Sequence, residues 1–225
     1  MVVTRYAPSP TGEIHIGALR TLLYNYAFAK HNNGKFILRI EDTDRKRYVP
    51  GAQDRILADI KAYGLSWDEG PFVQTERLEI YQEHIQKLLD KGYAYYCFCS
   101  ANRLKELKTK YDRHCLNLSQ EEVLQKIKNK EPFVIRLKMP DNEIITFKDA
   151  IRGDISFNTK DLDDQVLIKS DGIPTYHFAV VVDDHLMNVS HVLRGDEWIS
   201  STPKQILLYR YLDWKPPIFA HLTAL

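Results

Sequence analysis

Between Arg5 and Arg20 the chain reads RYAPSPTGEIHIGALR, and an apolar, helix-patterned stretch follows directly. A histidine at the start of a helix, among free backbone N–H groups, can donate a hydrogen bond to a phosphate. Pro8 and Pro10 stiffen such a loop, and Gly12 and Gly17 remove side chains where a ligand or a second backbone must come close. An ordinary strand-to-helix turn with a locally satisfied His15 fits the same spacing, and the residues alone leave both open. A second group lies further on. Cys97, Cys99, Tyr111 and Cys115 form C-x-C-x11-Y-x3-C, in which three thiolates and one harder ligand could complete a tetrahedral zinc site. His114 is the other local candidate for the fourth place, and three ordinary thiols are the alternative.

These residues need elements to hold them. VVTRY reads as a short strand, ALRTLLYNYAFAKHNNG as a helix ended by Gly34, and KFILRIED as a second strand, which together make a βαβ unit with a parallel sheet. AQDRILADIKAYG and ERLEIYQEHIQKLLDKG are amphipathic helices closed by glycine, and SWDEGP between them reads as a loop. From about Tyr93 short strand-like runs appear: YAYYCFC, PFVIRLKM and EIITFKD. Helical stretches separate the first two, and Ser119 with Glu122 makes a capping box. This texture marks an inserted α+β module. Long apolar segments return with GIPTYHFAVVVDDH, and VSHVLRGDEW then TPKQILLYRYL give a strand and a helix.

At 225 residues and 44% hydrophobic content the chain can bury a real core. Its 31 Lys and Arg against 30 Asp and Glu exclude binding to nucleic acid through overall charge, so any such contact needs a local patch. Ala101 to Lys130 supplies one, with eight Lys and Arg against four Asp and Glu. No apolar run reaches the ~20 residues that span a bilayer, and the polar start has no signal-peptide core. A soluble, cytoplasmic protein is expected. An odd count of three cysteines suits metal or free thiols better than a disulfide framework.

APSPTG-HIGA resembles the HIGH signature of class I aminoacyl-tRNA synthetases. With RIEDTDRKRY, WDEGP, DGIPTYH, VVVDDHLM and VLRGDEW, nearly the whole chain is similar to the catalytic half of the glutamyl-tRNA synthetases. Ala18 stands where that signature has its second histidine. The resemblance implies an α/β fold: a Rossmann-like parallel sheet with helices on both faces, interrupted by the α+β module. Residues 1–86 and 175–225 would form the catalytic domain and residues 87–174 the module that holds the acceptor end of tRNA.

The resemblance also implies activation of L-glutamate by ATP with Mg2+ to glutamyl-adenylate, then transfer to the terminal adenosine of tRNA(Glu), by a monomer. His15 and Gly17 would be catalytic. ATP would meet Pro8, His15, Gly17, Glu197, Trp198 and Leu225. The amino acid calls for cations against its carboxylates, met by Arg5 and Arg194, and an anion against its ammonium, met by Glu41 and Ser9; Tyr176 and Ala7 join by resemblance. An Arg5–Glu41 ion pair and a core role for Trp198 are the competing readings. Cys97, Cys99, Tyr111 and Cys115 match a zinc-bearing subset of these enzymes, some of which have histidine where this chain has Asn117.

The sequence stops where such enzymes continue into a lysine loop and an anticodon-binding region, so a fragment is expected that binds glutamate and ATP more readily than it activates them. The alternatives are the paralogue that glutamylates queuosine in tRNA(Asp) and a non-catalytic RNA- or nucleotide-binding module.

Overall fold

The computed structural model describes residues 1–107 and 110–223. In chain order β1 (Val3–Tyr6) leads into α1 (Ile16–His31), β2 (Lys35–Ile40), α2 (Ala52–Ala62), β3 (Glu69–Val73) and α3 (Leu78–Asp90). Then come β4 (Ala94–Cys97), α4 (Ala101–Glu106), α5 (Gln120–Lys128), β5 (Val134–Leu137), β6 (Ile144–Asp149), β7 (Gly153–Asn158) and β8 (Val166–Ile168). The chain closes with α6 (Tyr176–Leu186), β9 (His191–Gly195), α7 (Thr202–Tyr211) and β10 (Ile218–Leu222).

β1, β2 and β3 form a parallel sheet. A second sheet has the order β7-β6-β10-β9, with β10 parallel to both β9 and β6, and β7 antiparallel. The two meet where Ser190 N–H donates to the Val3 carbonyl at 2.9 Å. Buried Asn25 of α1 fastens this seam, accepting from Thr4 Oγ1 through its carbonyl and donating through Nδ2 to the Leu193 carbonyl at 3.0 Å. β1 feeds α1 and β2 to one side; β9 feeds α7 and β10 to the other. The crevice at the ends of β1 and β9 is therefore the point of reversal where open α/β sheets hold ligands.

Alternation along the strands sorts side chains by face. Tyr6, Phe36 and Leu38 pack with Leu22 and Ala29 of α1 and Ile56 and Ile60 of α2, each worth about 1.5–3 kcal/mol when fully buried if large. Arg5 and Arg39 point to the opposite face, where Asp184 of α6 receives them. The larger core joins α3, α6 and α7 to β4, β5, β8, β9 and β10.

Three local readings change. SWDEGP is not all loop: β3 begins at Glu69, because Asp68 takes the Phe36 N–H at 2.7 Å and delivers the chain alongside β2. β4, β5 and β8 form an antiparallel sheet of their own, as an α+β module would. The β6–β7 hairpin, from the same stretch of sequence, instead extends the sheet of β9 and β10. Finally, Asn33 takes the left-handed conformation after α1, with φ 49°, and Gly34 N–H closes on the Ala29 carbonyl at 2.8 Å. Gly34 is required for proximity, since a Cβ there would lie 2.1 Å from the Val2 carbonyl oxygen. The Ser119–Glu122 capping box forms in both directions.

Candidate active site

A cavity of about 1230 Å³ opens at the carboxyl ends of β1, β2 and β9. Its walls come mostly from within the stretches 5–21, 41–47, 169–176 and 193–198, joined by Ile56 and Val134. The backbone ties these loops together. Glu41 N–H donates to the Pro8 carbonyl at 2.9 Å and Val49 N–H to that of Pro10 at 3.0 Å, while Lys169 Nζ reaches the Thr43 carbonyl at 2.8 Å. Arg5, Ala7, Pro8, Ser9, His15, Gly17, Glu41, Tyr176, Arg194, Glu197 and Trp198 all line this one cavity. Leu225 lies outside the described residues.

His15 is the N-cap of α1, and its Nδ1 accepts from Ala18 N–H at 3.3 Å. The neutral ring must then carry its proton on Nε2, leaving that N–H as a donor. Gly17 makes room for the cap: a Cβ there would sit 3.2 Å from the imidazole Cε1. At Gly12 a Cβ would meet nothing within 4 Å, so crowding does not explain that glycine.

Behind the cavity lies a buried charge network that sequence reasoning missed. Arg5 pairs with Asp184 at 3.1 Å rather than with Glu41. Glu41 is held by fully buried Arg39 at 3.0 Å, and Arg39 also donates to Asp184 at 2.8 Å. Asp183 accepts from Gln74, Arg77 and Tyr81. Burial raises the Glu41 carboxyl above its ordinary range although Arg39 and Arg5 pull the other way. Burial acts likewise on Asp184, but Arg5 and Arg39 outweigh it and hold the carboxyl below the usual range. The signal available was an arginine inside KFILRI and two acids inside an apolar helical run, since groups so placed must find partners.

Arg194 differs from Arg5. It is buried, yet its partners are neutral: Nε donates to His221 Nε2 at 3.0 Å, Nη1 to Tyr176 Oη at 3.2 Å and Nη2 to Thr202 Oγ1 at 2.8 Å. Among the described residues no carboxylate pairs with it. A desolvated cation of this kind facing a cavity is prepared for an anionic ligand. Trp198 is half-buried and lies against Tyr176, ring centroids 4.2 Å apart, so it is a wall of the cavity and not a core aromatic. Glu197 folds back on Gly195, whose missing Cβ makes the space.

The cysteines also converge. The sulfurs of Cys97, Cys99 and Cys115 lie within 4.8 Å of one another, with 3.5 Å between Cys99 and Cys115. Tyr111 Oη is 3.2 Å from Cys97 and 3.5 Å from Cys99. A tetrahedron with Zn–S bonds of about 2.3 Å has edges of roughly 3.8 Å, so the donor set fits zinc. Arg103 reaches Cys99 at 3.5 Å and the Arg136 guanidinium lies 4.2 Å over the Tyr111 ring, giving cations to offset thiolates. His114 and Asn117 are exposed. Part of the cationic excess in 101–130 is neutralised within the fold, where Arg103 pairs with Asp112, Arg113 with Asp141 and Asp164, and Lys126 with Glu131. No helix among the described residues is long and apolar enough to cross a membrane.

Comparison with known proteins gives the family and the fold. The family model for tRNA synthetases class I (E and Q), catalytic domain, matches residues 1–225. A glutamate–tRNA ligase of Finegoldia magna is 54% identical across 99% of this chain and 51% of its own length. One of Clostridioides difficile is 53% identical across 98% of this chain and 50% of its own. The crystal structure of a glutamate tRNA ligase from Elizabethkingia meningosepticum, in complex with its amino acid, superposes with TM-score 0.95 at 43% identity, over 100% of this chain and 49% of that one. The chain thus spans about half the length of the relatives it matches.

Proposed function

Because the chain belongs to the class I tRNA synthetase (E and Q) catalytic-domain family, we propose that it is the catalytic portion of a glutamate–tRNA ligase. What carries the reading is Arg194, a buried guanidinium with only neutral partners, facing the same cavity as Arg5, Glu41 and His15. Arg194 and Arg5 take the carboxylates of L-glutamate. Glu41 and Ser9 take its ammonium group, and Tyr176 and the Ala7 backbone complete the pocket. ATP lies towards α1, its triphosphate by the His15 Nε2–H and the Gly17 backbone, its ribose by Glu197 and its adenine by Trp198 and Pro8. Mg2+ bound with ATP supplies charge neutralisation on the phosphates.

A carboxylate oxygen of glutamate attacks the α-phosphorus, the bond to pyrophosphate breaks, and glutamyl-adenylate forms. The 2′-hydroxyl of the terminal adenosine of tRNA(Glu) then attacks the carbonyl carbon, AMP leaves with the bonding electrons, and the hydroxyl proton is released. The residues supply position and electrostatic stabilisation of the charge on the α-phosphate. Residues 87–174 hold the acceptor end, and Cys97, Cys99, Tyr111 and Cys115 would hold one structural Zn2+ that pins β4 to the segment 111–115. The protein works in the cytoplasm as a monomer.

Titration calorimetry with a non-hydrolysable glutamyl-adenylate analogue tests this reading. Saturable binding that the glutaminyl analogue does not match supports it; no binding of either would overturn it and leave an RNA-binding module.

A further inference from the structure

The Arg194 guanidinium is steered from behind by two residues outside the cavity wall. His221 of β10 and Asp149 at the end of β6 are both fully or almost fully buried. Asp149 Oδ2 lies 2.6 Å from His221 Nδ1, and His221 Nε2 lies 3.0 Å from Arg194 Nε. Phe147 and Phe219 flank the imidazole, and Arg194 stacks over Phe219 at 5.2 Å, so the chain of hydrogen bonds runs through dry surroundings that strengthen it.

Thr202 Oγ1, 3.2 Å from His221 Nε2, can donate or accept there, but Arg194 and Asp149 agree on one tautomer. A guanidinium nitrogen only donates, so His221 Nε2 must be bare and the ring proton must sit on Nδ1, directed at Asp149. Asp149 is itself fixed: Oδ1 accepts from the backbone N–H groups of Ile151 at 2.9 Å and Arg152 at 3.0 Å, and the His221 N–H is shared between Oδ1 at 3.3 Å and Oδ2 at 3.2 Å. We propose that Asp149 and His221 are positioning residues for Arg194, locking the imidazole tautomer that accepts Nε–H and so aiming the remaining Nη–H bonds at a carboxylate of the bound amino acid. The part concerning the ligand rests on the reading of the cavity given above; the tautomer does not.

An isosteric change exposes the device. In Asp149→Asn the single amide oxygen must stay with the Ile151 and Arg152 N–H groups, which only Oδ1 serves, because an amide nitrogen cannot accept from them. The NH2 group then faces His221 Nδ1 and forces the proton to Nε2, where it opposes the Arg194 Nε–H. His221→Gln has no tautomer and can present an oxygen to Arg194 whatever stands at 149.

The experiment combines imidazole 15N spectra with calorimetric titration of L-glutamate and of ATP on the wild type, Asp149→Asn, His221→Gln and the double variant. The expected results are a Nδ1–H tautomer for His221 in the wild type and Nε2–H in Asp149→Asn. Glutamate should bind Asp149→Asn about tenfold or more weakly, as when a hydrogen bond to a charged group is lost, with ATP affinity kept. His221→Gln should stay near wild type, and the double variant should bind glutamate more tightly than Asp149→Asn. A wild-type Nε2–H tautomer would overturn the proposal, as would unchanged glutamate affinity in Asp149→Asn or a double variant no better than it. Should Asp149→Asn fail to fold, the wild-type tautomer and His221→Gln decide. Wild-type protein that binds no glutamate would defeat the reading of the cavity, while the spectra still judge the tautomer separately.

Discussion

Asp184 on α6 accepts from Arg39 on β2 at 2.8 Å, across 145 residues of sequence, with both side chains out of solvent. The same carboxylate holds Arg5, and the same guanidinium holds Glu41. Asp184 is therefore the joint between the two strands that carry the charged wall of the cavity. Asp184→Ala should cost about 3–5 kcal/mol, the usual penalty for leaving buried charges unpaired. Urea unfolding measures it, and a loss below ~1 kcal/mol would contradict the network.

Gly34→Ala should destabilise the chain although Gly34 is not in the left-handed region, because its Cβ would meet the Val2 carbonyl at 2.1 Å and push β1 from α1. The expected cost is at least the ~1–3 kcal/mol of ordinary overpacking. Asn33→Gly, at the true left-handed position, should be neutral or slightly stabilising. Thermal melts of the pair separate the two roles; equal melting of Gly34→Ala and wild type would contradict them.

His177 sets an acid limb. Burial, with Lys204 and Arg194 adding, pulls its imidazole down to about 4, and Nδ1 has no hydrogen-bond partner among the described residues. Between pH 4 and 6.5 the unfolded chain binds this proton and the folded chain does not, so stability falls as pH is lowered through that window, by about 3 kcal/mol at full effect. His177→Gln should flatten the slope there. Carboxylates held below their usual range, Asp149 and Asp184, contribute their loss at lower pH. Parallel stability curves for variant and wild type from pH 4 to 6.5 would refute the assignment.

Zinc should copurify at about one ion per chain in the four-donor cluster. Its removal by a strong chelator should lower the melting temperature, and re-addition should restore it. Cys115→Ser should lose the metal and become insensitive to chelator. Wild-type protein that retains no zinc after dialysis against it would rule the site out.

Much of this was legible along the chain. The βαβ opening follows from its apolar spacing, and the capping box from Ser119 and Glu122. Every described residue proposed for the amino acid and nucleotide reached one cavity, because strand ends and helix starts place loops together whatever their distance in sequence. What stayed hidden depends on three-dimensional partners. Val180 to Val182 are β-branched yet helical, since α6 is buried on all sides from Phe178 to Asp184 and packing overrides propensity. Residues 153–158 alternate too weakly to read as a strand, and only pairing with β6 makes them one. Arg5 has two acids of opposite ends of the chain within plausible reach, and nothing in the order of residues tells that Arg39 claims Glu41.

The most direct measurement is the affinity for L-glutamate, with ATP present, of the wild type and of Arg194→Met. Loss of this buried guanidinium, which has no protein carboxylate of its own among the described residues, should weaken glutamate by about a hundredfold, the scale of a buried charge-assisted pair, while ATP binds as before. Equal affinity for glutamate in the two proteins would show that the anion of the substrate is held elsewhere.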